Sequence, residues 1–143
     1  MKVLTLEGRG FDEITVGESR SFERTVDVAD VEAFARLSGD YNPLHMDEVY
    51  ARATPFGGRI VHGMLVASFF SALVGMLLPG RYCLYLSQSI AFKRPLTVGG
   101  SMTVTGTVVR KSPGAHTLSI ETVVDDGSGV RLIEGMAQVR VLA

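Results

Sequence analysis

The sequence predicts an α+β fold in which an antiparallel sheet curls over one long apolar helix, and three observations carry that prediction. Residues Ile60 to Leu78 are apolar on nearly every helical face and stop at Pro79-Gly80, a pair that ends helices. Four β-rich stretches follow that point, separated by turns. Along one of them Met102, Val104, Gly106 and Val108 alternate with Thr103, Thr105 and Thr107, so one sheet face is apolar and needs a cover. The apolar helix is the natural cover.

The elements are read in chain order. Ile14 to Val26 mixes β-branched and polar residues around Gly17, an irregular entry with a short strand. From Val28, apolar residues recur at helical spacing through Val31, Phe34, Ala35 and Leu37, with Asp27 as N-cap and Gly39 as terminator. The segment Gly39-Asp40-Tyr41-Asn42-Pro43-Leu44-His45 has turn chemistry, and Pro43 holds Asn42 out of the helical region, so it is placed in a loop. Asp47 caps a second helical piece reaching about Ala53, before Thr54-Pro55-Phe56-Gly57-Gly58 breaks the chain. Within the long helix Ser68, Ser71 and Gly75 form a stripe where another backbone or a ligand can approach. The strands are expected at Tyr82 to Phe92, Met102 to Arg110, Thr117 to Val124 and Val130 to Leu142, and their short turns imply a four-stranded meander.

Composition sets bounds on function. At 143 residues the chain fits a single domain spanning 1–143, and 46% hydrophobic residues supply a core. A formal charge of −1 with no basic run argues against nucleic acid. Ile60 to Leu78 is long enough to raise a bilayer crossing, but a helix that the sheet requires is read as core, so no membrane is expected. Cys83 stands in an apolar run as a structural thiol, and the N-terminal stretch meets Glu7 before any long apolar core can form and thus fails the export pattern, so a cytoplasmic setting is expected.

Asp40-x-Asn42-Pro43-x-His45, followed by Arg59-Ile60-Val61-His62-Gly63-Met64-Leu65 and Ala67-Ser68, resembles the MaoC-like (R)-specific enoyl-CoA hydratases and dehydratases. The resemblance continues through Leu78-Pro79-Gly80, Tyr85-Leu86-Ser87-Gln88 and Phe92-Lys93-Arg94-Pro95, and spans roughly residues 25 to 142. It implies a hot-dog fold, a homodimer whose paired sheets shape an acyl tunnel, and reversible hydration of a trans-2-enoyl-CoA to the (R)-3-hydroxyacyl-CoA. It further implies Asp40 and His45 as the catalytic acid-base pair, with Ser71 near them.

These residue types suit that chemistry. Hydration of an enoyl thioester needs a water held at the β-carbon, a group to take its proton, and polarity at the thioester oxygen as enolate character develops. A histidine and a carboxylate can share one water. Gly63, near the helix start, offers a backbone N-H to the oxyanion and lets a carbonyl approach closely. Asn42 either fixes the loop or meets substrate, and Ser71 either orients the site or bonds its own helix carbonyl. Phe56, Leu73 and Leu86 are candidates to line the acyl pocket. Arg59, Lys93 and Arg94 are candidates for coenzyme phosphates, against the alternative of ordinary surface cations.

His62 is read as a packing or hydrogen-bonding residue at the helix start, and His116 as an exposed loop residue. Each histidine stands alone along the chain, with no cluster to complete a metal site, so neither metal nor cofactor is expected and coenzyme A enters only as part of the substrate. A dehydratase acting on acyl-carrier-protein thioesters would use the same residues. A thioesterase, or a non-catalytic acyl-binding subunit, fits the intact Asp40, His45 and Gly63 less well.

Overall fold

The computed structural model describes residues 3–143. Strand β1, Ser19–Thr25, is followed by helices α1 (Val28–Ser38), α2 (Pro43–Met46), α3 (Glu48–Arg52) and α4 (Gly63–Ala72). Strands β2 (Cys83–Gln88), β3 (Ala91–Phe92), β4 (Ser101–Ser112), β5 (Thr117–Asp126) and β6 (Arg131–Val141) complete the fold. The sheet is antiparallel, in the order β1-β4-β5-β6-β2, with β3 also on β6.

Local chemistry explains the first helices. Asp27 accepts a hydrogen bond from the Asp30 N–H at 3.0 Å while the Asp30 carboxylate accepts from the Asp27 N–H, a reciprocal cap on α1. Gly39 ends α1 in the left-handed conformation. Pro43 occupies the start of α2, where its missing N–H leaves no helical bond unmade. The stretch expected to be loop therefore divides: 39–42 is loop, and His45 stands on a helical turn.

The long helix begins later than its hydrophobicity suggested. Ile60 bridges Thr97 in extended conformation, and α4 starts at Gly63. Beyond Ala72 the chain widens into a π-helical segment at Leu73–Leu77, where the Leu78 N–H reaches back to the Leu73 carbonyl. Nor is the helix covered all round in this chain. Leu65, Val66, Ala67 and Phe70 are buried, whereas Met64 is 57% exposed and Ser68 and Ser71 are exposed. On the sheet side Met102, Val104 and Val108 are fully buried, as the alternation requires, and Leu73 packs over Gly106. Full burial of side chains such as Phe70 and Leu73 stabilises the fold by about 2 to 3 kcal/mol each.

The expected four-stranded meander is corrected to three strands, β4-β5-β6. The chain after β3 does not turn back at Gly99-Gly100. It crosses the α4 entry, with the Val61 N–H on the Leu96 carbonyl and the Val98 N–H on the Arg59 carbonyl, and so leaves β2 at the far edge beside β6. Gly135 on β6 makes room for the β2–β3 connection: a Cβ there would fall on the Ser89 carbonyl oxygen. That connection also splits the expected strand at 82–92 into β2 and β3. Among the described residues no helix is long and apolar enough to cross a membrane.

Candidate active site

Two segments distant in sequence are laced together by hydrogen bonds. The Arg59 Nε donates to the His45 carbonyl at 2.5 Å, the His45 Nδ1 meets the Ile60 carbonyl at 2.8 Å, and the Ile60 N–H reaches the Leu44 carbonyl at 3.3 Å. The His62 Nε2 lies 3.0 Å from the Asp40 carbonyl. The residues that lead into α4 thus hold the loop and turn that carry Asp40 and His45.

Within that frame each candidate is fixed by a nameable contact. The Asp40 N–H donates to the Ser38 hydroxyl, and its exposed carboxylate accepts from the Asn42 N–H at 3.1 Å. Asn42 caps α2, its side-chain oxygen accepting from the Leu44 N–H at 3.0 Å, so its observed contacts are those of the loop-fixing reading. His62 is 2% exposed, wedged between the Phe34 ring, whose centroid is 4.8 Å away, and the His45 ring at 4.0 Å.

The tautomers follow from the partners. A carbonyl oxygen only accepts, so the His45 Nδ1 carries hydrogen and, in the neutral ring, Nε2 is left with its lone pair. By the same reasoning the His62 Nε2 is the donor, and its Nδ1 lone pair is buried without a hydrogen-bond partner among the described residues. One donor atom from each of Asp40, His45 and His62 falls within 4.8 Å of the others. This corrects the reading of the histidines as solitary: 17 residues of sequence separate His45 from His62, and the lacing closes that gap.

An apolar pocket of about 250 Å³ opens beside His45. Phe56, Gly63, Val66, Phe92, Lys93, Arg94 and Leu132 are among its walls. Gly63 is the first residue of α4, where the N–H has no intrahelical acceptor, and the Phe92 ring lies so close that a Cβ on Gly63 would stand 2.8 Å from its Cε1. His45, Gly63 and the pocket therefore share one space. Lys93 also pairs with Glu134 at 3.3 Å.

Other candidates lie elsewhere. Ser71 and Leu86 line a second, open groove on the exposed face of α4, with Met64, Ser68, Tyr85 and Gln88. Ser68 is the serine whose hydroxyl bonds back to its own helix, at the Leu65 carbonyl. Tyr85 donates to the Gln88 side chain, and burial together with the neighbouring Cys83 pushes its phenol up to about 12. Leu73 is fully buried beneath the sheet and lines neither space. Arg59 spends its Nε on the His45 carbonyl, a contact the sequence reading missed. His116 is exposed, as expected, and stacks on Phe11 with centroids 4.7 Å apart.

Comparison with known proteins gives this geometry a context. Residues 12–128 match the model described as MaoC-like domain. An (R)-specific enoyl-CoA hydratase of Rhodospirillum rubrum is 41% identical over 133 residues, covering 93% of this chain and 92% of that protein. A mitochondrial 3-hydroxyacyl-[acyl-carrier-protein] dehydratase of Arabidopsis thaliana is 40% identical over 86 residues, 60% of this chain and 51% of its own length. Among solved structures, an R-hydratase of Pseudomonas aeruginosa in its unliganded form superposes with a TM-score of 0.91 at 32% identity, covering 95% of this chain and 87% of that one.

Proposed function

This chain belongs to the MaoC-like domain family, a hydro-lyase with a hot-dog fold, and on that premise we propose that it is an (R)-specific enoyl-CoA hydratase. It adds water reversibly across a trans-2-enoyl-CoA, giving the (R)-3-hydroxyacyl-CoA. Asp40 and His45 are its catalytic pair, and the Gly63 N–H is its oxyanion donor.

The observation that carries this reading is the spacing of the pair. A water making two hydrogen bonds of about 2.8 Å at a tetrahedral angle spans about 4.6 Å between its partners. A carboxylate oxygen of Asp40 and one ring nitrogen of His45 lie within 4.8 Å of each other, and with Nδ1 on the Ile60 carbonyl the lone pair that His45 can offer a water is that of Nε2. A water held there gives its oxygen to the β-carbon as His45 takes a proton, and the pair returns a proton to the α-carbon. Meanwhile negative charge gathers on the thioester oxygen, which the Gly63 N–H and the α4 dipole stabilise. Coenzyme A is part of the substrate, and the reaction calls for no further cofactor.

The acyl chain enters the pocket walled by Phe56, Val66 and Leu132, and Lys93 and Arg94 at the same pocket offer charge to the coenzyme phosphates. Arg59 supports the site through His45 instead. A homodimer is part of the proposal: β2 is an edge strand, and Leu84, Leu86 and Met64 are about half exposed on the open face of α4 and β2, where a second copy would cover them. The half-buried free thiol of Cys83 suits a reducing compartment, so the proposal places the enzyme in the cytoplasm.

The likeness to the Arabidopsis dehydratase supports a second reading, in which the thioester is carried by an acyl carrier protein. One experiment decides both points. Purified protein is offered crotonyl-CoA and the matching carrier-protein thioester, and the product is resolved on a chiral column. The (R)-3-hydroxy product with faster turnover of the CoA ester supports the proposal; the (S)-product overturns it, and preference for the carrier-protein ester moves it to the second reading.

A further inference from the structure

We propose that Asp40, His45 and His62 form a binding site for a borderline-soft divalent cation, with Zn²⁺ as its best ligand, and that occupation of the site switches hydration off. The inhibition, though not the binding, rests on the role proposed above for Asp40 and His45.

The donor set is the first argument. Two imidazole nitrogens and a carboxylate oxygen are a zinc-type set, and here they lie within 4.8 Å of one another. Ligands at about 2.0 to 2.2 Å from a tetrahedral Zn²⁺ stand about 3.3 to 3.5 Å apart, so the donors need to close by roughly 1.4 Å at most. Asp40 stands in an exposed loop and can make that movement by side-chain rotation.

The second argument is the state of the nitrogens. Histidines that bind metal almost always donate the other ring N–H to a carbonyl or carboxylate, which fixes the tautomer. Both rings already do so, His45 to the Ile60 carbonyl and His62 to the Asp40 carbonyl. The His62 Nδ1 is a buried lone pair with no hydrogen-bond partner among the described residues, an arrangement that costs about 1 to 3 kcal/mol unless something is bound to it. The proposed reaction does not use that nitrogen. A cation seated on the Nδ1 would satisfy it, while Nε2 keeps its bond to the Asp40 carbonyl.

The third argument is what binding would do. A cation on the His45 Nε2 and the Asp40 carboxylate takes the lone pair that receives the water's proton and the group that shares the water. The pair then cannot return a proton to the α-carbon, whatever water the cation itself carries. Zn²⁺ should therefore act as a reversible inhibitor that competes with the enoyl thioester. Mg²⁺ and Ca²⁺, which favour six or more oxygen ligands, should not bind.

The test is zinc titration of chelator-treated, dialysed protein against a chromophoric zinc indicator. The expected result is one Zn²⁺ per chain, displaced by crotonyl-CoA. Asp40→Asn, His45→Gln and His62→Gln should each weaken binding by roughly tenfold to a hundredfold or more. Cys83→Ser and His116→Gln remove the soft donors outside the cluster and should leave binding unchanged. His62 is buried, so its variant is first checked for folding by circular dichroism; where it fails, the exposed Asp40→Asn and the His45→Gln variants decide. Unchanged affinity in both of those, or loss of binding in Cys83→Ser or His116→Gln, overturns the site. Zinc bound at the cluster with undiminished hydration overturns the inhibition. Hydration by chelator-treated protein that binds no zinc leaves the proposed function standing and removes only this inference, while zinc binding without any hydration keeps the binding site and overturns the proposed function together with the inhibition.

Discussion

Alanine in place of Gly63 separates the contribution of the Gly63 amide from that of the fold. Gly63 begins α4, where alanine is at least as good a helix former, with a gain of at most about 1 kcal/mol. Against that, the new Cβ would stand 2.8 Å from the Phe92 Cε1 and 3.0 Å from its Cδ1, too close for either to stay in place. Overpacking typically costs about 1 to 3 kcal/mol, and Phe92, being 53% exposed, can swing outward, so the cost falls at the low end. The net change in stability should stay below about 2 kcal/mol, a fall of under roughly 8 °C in Tm for a chain of this size. Activity should fall much further. The methyl projects into the pocket shared with His45, where it holds the thioester oxygen away from the N–H, and loss of one such donor costs about 10²- to 10³-fold in kcat. Adding Phe92→Ala relieves the clash, so the double variant should recover stability relative to Gly63→Ala without recovering the rate. The assays are differential scanning fluorimetry and enoyl-CoA hydration on the parent and both variants. If folded Gly63→Ala keeps kcat within about threefold of the parent, the Gly63 amide is not where the carbonyl binds and the oxyanion assignment fails.

Other consequences concern the framework. Gly135→Ala drives a Cβ into the Ser89 backbone, which no rotamer change relieves, and should cost about 3 kcal/mol or more in urea unfolding; a loss below 1 kcal/mol would show that the β2–β3 connection can shift freely. Burial pushes the Cys83 thiol from 9.0 up to about 11, so at pH 8 its alkylation by iodoacetamide should run about a hundredfold slower than in unfolded protein and quicken as pH rises towards 11. Rapid labelling of the folded chain at pH 8 would contradict that burial. Burial alone would raise the Glu18 carboxyl, but Arg9 at 2.6 Å and the Thr15 N–H together outweigh it and hold the carboxyl below its usual 4.5. A depressed carboxyl stabilises the fold above its unfolded-state value and loses that contribution as pH falls through the folded-state value. Glu18→Gln should therefore cost about 1 kcal/mol at pH 7 and nothing near pH 2, as read from unfolding curves at the two pH values. An equal cost at both would place the effect in packing instead of charge.

What the sequence revealed was mostly what is local. The α1 cap at Asp27 and Asp30, the stop at Gly39, and the alternation that buries Met102, Val104 and Val108 all depend on neighbours within a few residues. The pairing of β2 with β6 was not legible, because it is settled by a close approach between Gly135 and Ser89, 46 residues apart in sequence. The π-helical segment at Leu73–Leu77 left no trace in a hydrophobic run that suits either helix. At the site, Asp40 and His45 share one turn motif and could be picked out together. The position of His62 against both depends on an extended stretch at 60–62 that hydrophobicity alone had assigned to the helix. For Arg59 the sequence offered coenzyme phosphate or an ordinary surface cation, and its bond to the backbone that carries His45 was not legible for a related reason: the partner lies 14 residues away.

The central claim, that Asp40 and His45 perform hydration, is tested most directly by following loss of the conjugated enoyl absorbance of crotonyl-CoA. The parent protein should be measured beside Asp40→Asn and His45→Gln. Both substitutions preserve side-chain volume and remove a proton-transfer group, so each should lose several orders of magnitude in kcat while melting close to the parent. Turnover near the parent level in either folded variant would contradict the assignment.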